Sequence, residues 1–292
     1  LATLATIPLA AMGRALEAVA RVAGDEPGAR VLGVHLEGPC LNPLRAGAQA
    51  VPHMRALTPA QLDELDGRSG GRVRLVTLAP EVDGAMDLLR HAVARGVAVS
   101  VGHSNATEAQ MQEAIAAGAR QGTHLFNAMR ELHHREPGVP GVALTEDAVS
   151  VELIADGHHL APRIVDLALR CKPLDKAVLV SDAVAALGLP DGDCELFGVP
   201  CRIEGGAVRL RQGGQLAGSC LRLDAAVRNT RAWAPGASLE RVLRAASTAA
   251  AGVIGESACG RLQPGCIADV VVLDADLEVV ATFCRGCLVW ER

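Results

Sequence analysis

Residues 97–129 read VAVSVGHSNATEAQMQEAIAAGARQGTHLFNAM and carry the pattern that decides the fold. The apolar run at 97–101 predicts a buried strand. Thr107 is a good helix N-cap, and Gln110 three residues later completes a capping-box pattern, so a helix is predicted to begin here. A second short strand then leads to His124. Strand, helix and strand in this order are typical of a parallel α/β scaffold.

Two histidines follow the two predicted strands of this stretch. His103 comes just after the apolar run, and His124 stands at the next strand. In a closed (β/α) barrel the carboxyl ends of the strands converge on one point, where substrates and metals bind. Either histidine alone could be a polar residue that closes a strand, but both at the same topological point favour a metal site.

The alternation of strands and helices extends along the chain with short connections. Residues 187–214 are rich in Gly and Pro and predict a β-hairpin insertion, and 267–289 predict two or three antiparallel strands. We therefore predict an α/β fold: a TIM-like (β/α) barrel over residues 1–262, followed by strands of a small β-sandwich over 263–292. Further predicted strands lie at 31–36, 73–78, 149–154 and 177–180, and predicted helices at 9–22, 85–94, 162–171 and 238–250.

Composition excludes several classes of function. The net charge of −5 argues against nucleic acid as a partner. No apolar run is long enough to cross a bilayer, so no membrane partner is expected. The apolar start at 1–11 lacks a basic segment and is not predicted to be a signal peptide. Nine cysteines without the spacing of a small disulfide scaffold favour reduced thiols and a cytoplasmic protein.

Polar residues stand at several predicted strand ends. Glu37 follows the apolar run VLGVHL directly and is held by Gly38 and Pro39, although a solvated loop position is the alternative. One Glu and two His form a three-ligand set that leaves a position open for water, which is the pattern of a catalytic zinc. Together these positions describe the mouth of a barrel. They are Glu37, His103, His124, His159, Asp182 and the turn at 218–219, which we predict to be a strand-end loop.

Asp182, after the apolar strand at 177–180, suits a different role. An aspartate that is not a firm ligand can take a proton from the attacking water and deliver it to a leaving amine. The alternative is that Asp182 caps a following helix. Arg135 and His159 could bind an anion, since the guanidinium fork matches phosphate oxygens; the alternative is a solvated loop and a hydrogen-bonded core histidine.

Seven short motifs, taken together, resemble one known family. They are HLEGP at 35–39, GHSNAT at 102–107, THLFNAM at 123–129, REPG at 135–138, ADGHH at 155–159, SDA at 181–183 and LAGS at 216–219. In this order, and across most of the chain, they are similar to N-acetylglucosamine-6-phosphate deacetylases of the amidohydrolase superfamily.

The resemblance implies a (β/α) barrel with a small β-sandwich built from both chain termini. It implies hydrolysis of the acetamide of N-acetylglucosamine 6-phosphate, with Glu37, His103 and His124 holding one divalent metal per subunit and Asp182 as the acid/base. Zinc is the expected metal, with Fe, Mn and Co left open. The REPG arginine of such enzymes reaches across a dimer interface, so a homodimer is implied. The implied substrate-binding residues are Ala48, Gln49, Asn127, Ala128, Arg135, Asp156, His159, Leu216, Ala217 and Gly218.

Three features depart from that family's pattern. The sandwich strands and the PGxID-type first strand that open such enzymes are not in the sequence, so the N-terminal part looks missing. Gln49 stands where a histidine polarises the substrate carbonyl, and His53 is the alternative. Cys220 opens a run, CLRL, in place of SLTM. The open alternatives are a sister enzyme for N-acetylgalactosamine 6-phosphate or another amide, and a truncated, non-catalytic remnant.

Overall fold

The computed structural model describes residues 1–26, 28–196 and 198–292. Within these residues, a curled sheet of seven parallel strands forms the centre of the molecule, and its strand order follows the sequence. Each strand therefore pairs with the next one along the chain, as predicted for a (β/α) barrel. The strands are β1 (Ala2–Leu4), β2 (Val34–Glu37), β3 (Val73–Leu78), β4 (Ala98–Val101), β5 (Gln121–Gly122), β6 (Ser150–Leu153) and β7 (Ala177–Leu179). β1 was not predicted from the sequence.

Helices connect the strands. They are α1 (Leu9–Val22), α2 (Pro59–Arg68), α3 (Ala85–Ala94), α4 (Glu108–Ala116), α5 (Gly138–Thr145), α6 (Pro162–Cys171), α7 (Leu223–Trp233), α8 (Leu239–Ala245) and α9 (Thr248–Val253). The capping box predicted at Thr107 and Gln110 is present. The single helix predicted at 238–250 was wrong, because Ser247 leaves helical geometry (φ −142°, ψ −82°) and divides the segment into α8 and α9.

The apolar core lies between the sheet and the helices that cover it. Strand residues such as Leu78 and Leu153 are fully buried together with helix residues such as Leu16, Leu88 and Met111. Parallel sheets are covered by helices on their outer face, which explains why the strand residues that point to that face are apolar. The packing of this layer fixes the strand ends that carry the site.

The interior of the curled sheet is polar where many barrels are filled by branched apolar side chains. His35 Nε2 lies 2.8 Å from Thr77 Oγ1, which lies 2.8 Å from Thr123 Oγ1. Ser100 Oγ lies 2.5 Å from the same Thr123 atom. All four side chains are buried, so their hydrogen bonds satisfy groups that would otherwise be costly to enclose.

Two antiparallel sheets complete the described fold. The first contains β8 (Gly192–Leu196), β9 (Val199–Glu204), β10 (Ala207–Leu210) and β11 (Leu216–Ser219). The predicted insertion is thus larger than a hairpin, and LAGS is its fourth strand and not a strand-end loop, because Ala207 pairs with Ser219. The second sheet contains β12 (Val270–Leu273), β13 (Val279–Cys284) and β14 (Cys287–Glu291), as predicted for the C-terminal strands. No helix in the described part of the chain is long and apolar enough to cross a membrane.

Candidate metal centre

Three side chains from separate strands converge at the carboxyl end of the sheet. Glu37 Oε1 lies 3.0 Å from His103 Nε2 and 3.1 Å from His124 Nε2. The two Nε2 atoms are 3.1 Å apart, and all three residues are buried. The ligand set predicted from the sequence is therefore brought together as a compact triangle of one oxygen and two nitrogen atoms.

The backbone at these positions takes conformations that side-chain-bearing residues rarely adopt. His103 (φ 47°), His124 (φ 32°) and Asp182 (φ 48°) all lie in the left-handed region. Such geometry turns the chain sharply at the strand end and aims the side chain over the mouth of the sheet. Gly102 is required before His103, because a Cβ there would lie 2.7 Å from Thr123 Cβ.

Neighbouring groups orient the three side chains. His103 Nδ1 donates to the Arg45 carbonyl across 2.9 Å, which leaves its Nε2 lone pair facing the centre. Gln49 Nε2 donates to Glu37 Oε2 across 2.8 Å, and Gln49 Oε1 accepts the Thr6 backbone N–H. Of the two candidates for the carbonyl-polarising position, Gln49 is thus the one whose amide touches Glu37.

The charges at this centre favour a cation. Burial raises the pKa of Glu37, but the two imidazoles more than compensate and hold it well below its usual value. Burial disfavours a charged His124, yet hydrogen bonding and the charge of Glu37 raise the pKa of its ring to about 9. The site is therefore built to hold positive charge, either as a proton or as a metal ion.

The donor set fits a divalent metal. A tetrahedral zinc with ligands at about 2.1 Å separates neighbouring ligand atoms by about 3.4 Å. The three atoms lie 3.0–3.1 Å apart, within a few tenths of an ångström of that separation, so the group could hold a metal ion. Three ligands leave the open position that a catalytic site needs.

Asp182 lies beside this triangle, just after β7. It lines a cavity of about 630 Å³ together with Glu37 and His124. Burial raises the pKa of Asp182, with His124 opposing and Glu37 adding to the rise. Ser219 N donates to the Asp182 carbonyl across 2.8 Å. Gly218 in β11 lies so close to Asp182 that a Cβ on Gly218 would be 2.9 Å from the Asp182 carbonyl oxygen. β11 therefore supports the backbone turn at Asp182.

The residues predicted to bind substrate lie in several loops and in β11. His159 Nδ1 lies 2.6 Å from Asp156 Oδ2, which leaves Nε2 available for another partner. Ala128 is left-handed (φ 49°), and Asn127 Nδ2 donates to the carbonyls of His124 and Leu125. Ala48 follows Gly47, whose position is next to the His103 ring, and Leu216 and Ala217 lie in β11. Arg135 is exposed, with its Nη1 2.8 Å from His134 Nε2.

Sequence reasoning missed Glu152 in β6. Its Oε2 accepts the His124 backbone N–H across 3.0 Å, and Gln121 Nε2 donates to Oε1. Burial raises the pKa of Glu152 to about 7, against the effect of the His124 N–H. The sequence alone could have drawn attention to Glu152, because it is the one charged residue inside the apolar run at 149–154. It supports the left-handed turn at His124.

A model of the amidohydrolase family matches residues 6–289. The chain belongs to the amidohydrolase family. Its curated relatives in this family include the N-acetylgalactosamine-6-phosphate deacetylase of Escherichia coli O157:H7, which is 42% identical over 290 residues, 99% of this chain and 76% of that protein. The N-acetylglucosamine-6-phosphate deacetylase of Bacillus subtilis (strain 168) is 39% identical over 260 residues, 89% of this chain. The chain spans 65% of the length of the Bacillus protein.

Solved amidohydrolase structures share the fold. The N-acetylglucosamine-6-phosphate deacetylase of Thermotoga maritima superimposes with a TM-score of 0.93 at 35% identity, over 100% of this chain and 78% of that one. The Mycobacterium smegmatis enzyme, solved as a mutant in complex with N-acetyl-D-glucosamine-6-phosphate, gives a TM-score of 0.93 at 38% identity, over 99% of this chain and 76% of that one. These similarities confirm the predicted family and barrel-type fold.

Proposed function

We propose that this amidohydrolase hydrolyses the acetamide of N-acetylglucosamine 6-phosphate to glucosamine 6-phosphate and acetate. The observation that carries the proposal is the triangle of Glu37, His103 and His124 with Asp182 beside it. The names of the relatives support the reaction class, and the Mycobacterium complex supports the substrate class. We also propose residues 1–262 as the catalytic unit and 263–292 as sandwich strands.

Glu37, His103 and His124 would hold one divalent metal ion, which we propose to be zinc. When bound, such an ion polarises the amide carbonyl and lowers the pKa of water at the open position. Glu37 supplies one negative charge, and the Arg45 carbonyl keeps the His103 lone pair directed at the centre. Gln49 holds the second oxygen of Glu37 in place.

Asp182 would move the proton. It accepts a proton as water adds to the acetamide carbon, and it delivers that proton to the nitrogen as the C–N bond breaks. An unprotonated amine anion leaves poorly, so this transfer to nitrogen is the step that most needs an acid. The raised pKa of Asp182 makes it a stronger proton acceptor than an ordinary aspartate, which suits this double role.

The sugar phosphate would bind across the loops at the mouth. His159 is oriented by Asp156 and keeps Nε2 free to contact the substrate. The turn at Asn127 and Ala128 lies next to the metal centre, since the Asn127 N–H donates to the His124 carbonyl across 2.9 Å. Arg135 is exposed, which is compatible with a role in the site of a second subunit, and we propose a cytoplasmic homodimer.

The test is acetate release by the purified, zinc-loaded chain. The substrates are N-acetylglucosamine 6-phosphate, its galactosamine epimer and the unphosphorylated sugar. Preference for the first is expected. Preference for the epimer would support the sister activity, which the Escherichia coli relative represents. Equal turnover of the unphosphorylated sugar would contradict phosphate recognition, and binding without turnover would identify a non-catalytic remnant.

A further inference from the structure

Glu81 lies in the loop after β3 and has no place in the chemistry proposed above. Its carboxylate nevertheless receives three hydrogen bonds. Oε1 accepts from Asn42 Nδ2 across 2.9 Å and from the Asn105 backbone N–H across 2.5 Å, and Oε2 accepts from Ser104 Oγ across 2.8 Å. One side chain thus connects the loops that follow β2, β3 and β4.

The loop after β2 makes two hydrogen bonds with His103, one to its backbone and one to its ring. The Asn42 backbone N–H donates to the His103 carbonyl across 3.0 Å, and the Arg45 carbonyl accepts from His103 Nδ1 across 2.9 Å. Asn42 Oδ1 also caps the short 3₁₀ turn Pro43–Arg45 by accepting from Leu44 N. The position of Asn42 therefore sets where the Arg45 carbonyl meets the imidazole.

The loop after β4 is held from the same carboxylate. Ser104 and Asn105 continue the chain out of the left-handed residue His103, and both donate to Glu81. Asn105 Oδ1 accepts from Arg45 Nε across 2.9 Å, which joins the two loops a second time. Both the backbone and the ring of His103 are thus fixed by groups that meet at one carboxylate.

We propose that Glu81 is a positioning residue for the metal centre. By tying the loop after Glu37 to the loop after His103, it fixes the direction of the His103 lone pair and so determines metal affinity. The inference rests on the proposed function only in that Glu37, His103 and His124 bind a divalent metal.

The chemistry of the three donors favours a carboxylate at this position. A carboxylate only accepts, and it can receive all three hydrogen bonds at once. In Glu81→Gln the amide oxygen still accepts two hydrogen bonds, but its NH₂ group cannot accept from the Ser104 hydroxyl, which loses its acceptor. Glutamine should therefore preserve part of the positioning, whereas Glu81→Ala removes it.

The experiment compares Glu81→Ala, Glu81→Gln and two controls. Asp83→Ala removes an exposed carboxylate two residues further along the same loop. Arg244→Ala removes an ion pair with Asp175 far from the centre and gives a reference for general loss of stability. The zinc dissociation constant is measured by chelator competition, the absorption spectrum with Co²⁺, and the melting temperature without metal.

Loss of a group that orients a ligand weakens metal binding by about 10–100-fold. We expect this loss and an altered Co²⁺ spectrum for Glu81→Ala, less than about tenfold for Glu81→Gln, and wild-type affinity for both controls. Unchanged affinity in Glu81→Ala overturns the inference, as does a loss that Arg244→Ala reproduces at the same drop in melting temperature. A wild-type chain that binds no metal contradicts the proposed function itself.

Discussion

His103 Nε2 and His124 Nε2 face each other across 3.1 Å, although 21 positions of sequence separate the two residues. Both nitrogens also contact the same oxygen of Glu37. The lone pairs of these three atoms would repel one another unless a proton or a metal cation lay between them. We expect His124→Ala to lose bound metal and activity together, because two ligands do not retain a catalytic zinc. Metal content by atomic absorption and acetate release would check this, with His91→Ala on the outer helix α3 as the control.

Asp182→Asn should separate binding from chemistry. Asparagine keeps the size of the side chain and its hydrogen bonding but cannot accept the proton. We expect metal and substrate binding to persist while kcat falls by roughly 10²–10⁴-fold. A near-normal kcat with metal occupancy verified would move the proton transfer to another group, and Glu152 would be the next residue to test.

Arg135 and His159 should matter for the phosphorylated substrate. We expect Arg135→Ala and His159→Ala to raise KM for the sugar phosphate, since the first removes a guanidinium fork that matches phosphate oxygens and the second removes an imidazole whose Nε2 is free for the substrate. Arg95→Ala, which removes an exposed arginine at the end of α3, serves as a charge-matched control. If Arg135→Ala raised KM for the unphosphorylated sugar by the same factor, its role would lie elsewhere than in phosphate binding.

Metal binding should depend on pH through His124. Because Glu37 raises the pKa of this ring to about 9, the metal-free site carries a proton at neutral pH. A metal ligand must be deprotonated, so binding releases that proton, and affinity should rise by about tenfold per pH unit up to about pH 9. Calorimetry in buffers of different ionisation enthalpy measures the proton directly. Affinity that stays constant from about pH 6.5 to about pH 8.5 would count against this coupling.

Gln49 and His53 can be distinguished by matched variants. Gln49 donates to Glu37 Oε2, whereas His53 lies in a separate 3₁₀ turn, Val51–His53. We expect Gln49→Leu to weaken metal binding and to lower kcat, because Glu37 loses a partner for its second oxygen. His53→Leu should leave both unchanged. The opposite result would assign the position to His53.

The sequence allowed the strands around the site to be predicted because apolar runs such as 97–101 and 73–78 are unambiguous. The predicted ligands Glu37 and His103 could be placed because they stand at the ends of such runs, and His124 because the alternation of strands and helices predicts a short strand before it. β11 was misassigned because its pairing with β10 depends on contacts that local pattern does not reveal. Glu81 was missed for a related reason, since a loop carboxylate becomes informative only when the loops that meet it are known.

The left-handed backbone at His103, His124, Phe126, Ala128 and Asp182 has a consequence for protein engineering. Residues with a Cβ are disfavoured in this region, and glycine or asparagine tolerates it better. A search for thermostable variants that selects on folding alone should therefore favour replacement of these side chains by glycine or asparagine. Such a search would stabilise the scaffold and discard the residues proposed to perform the chemistry, so stability and turnover must be selected together.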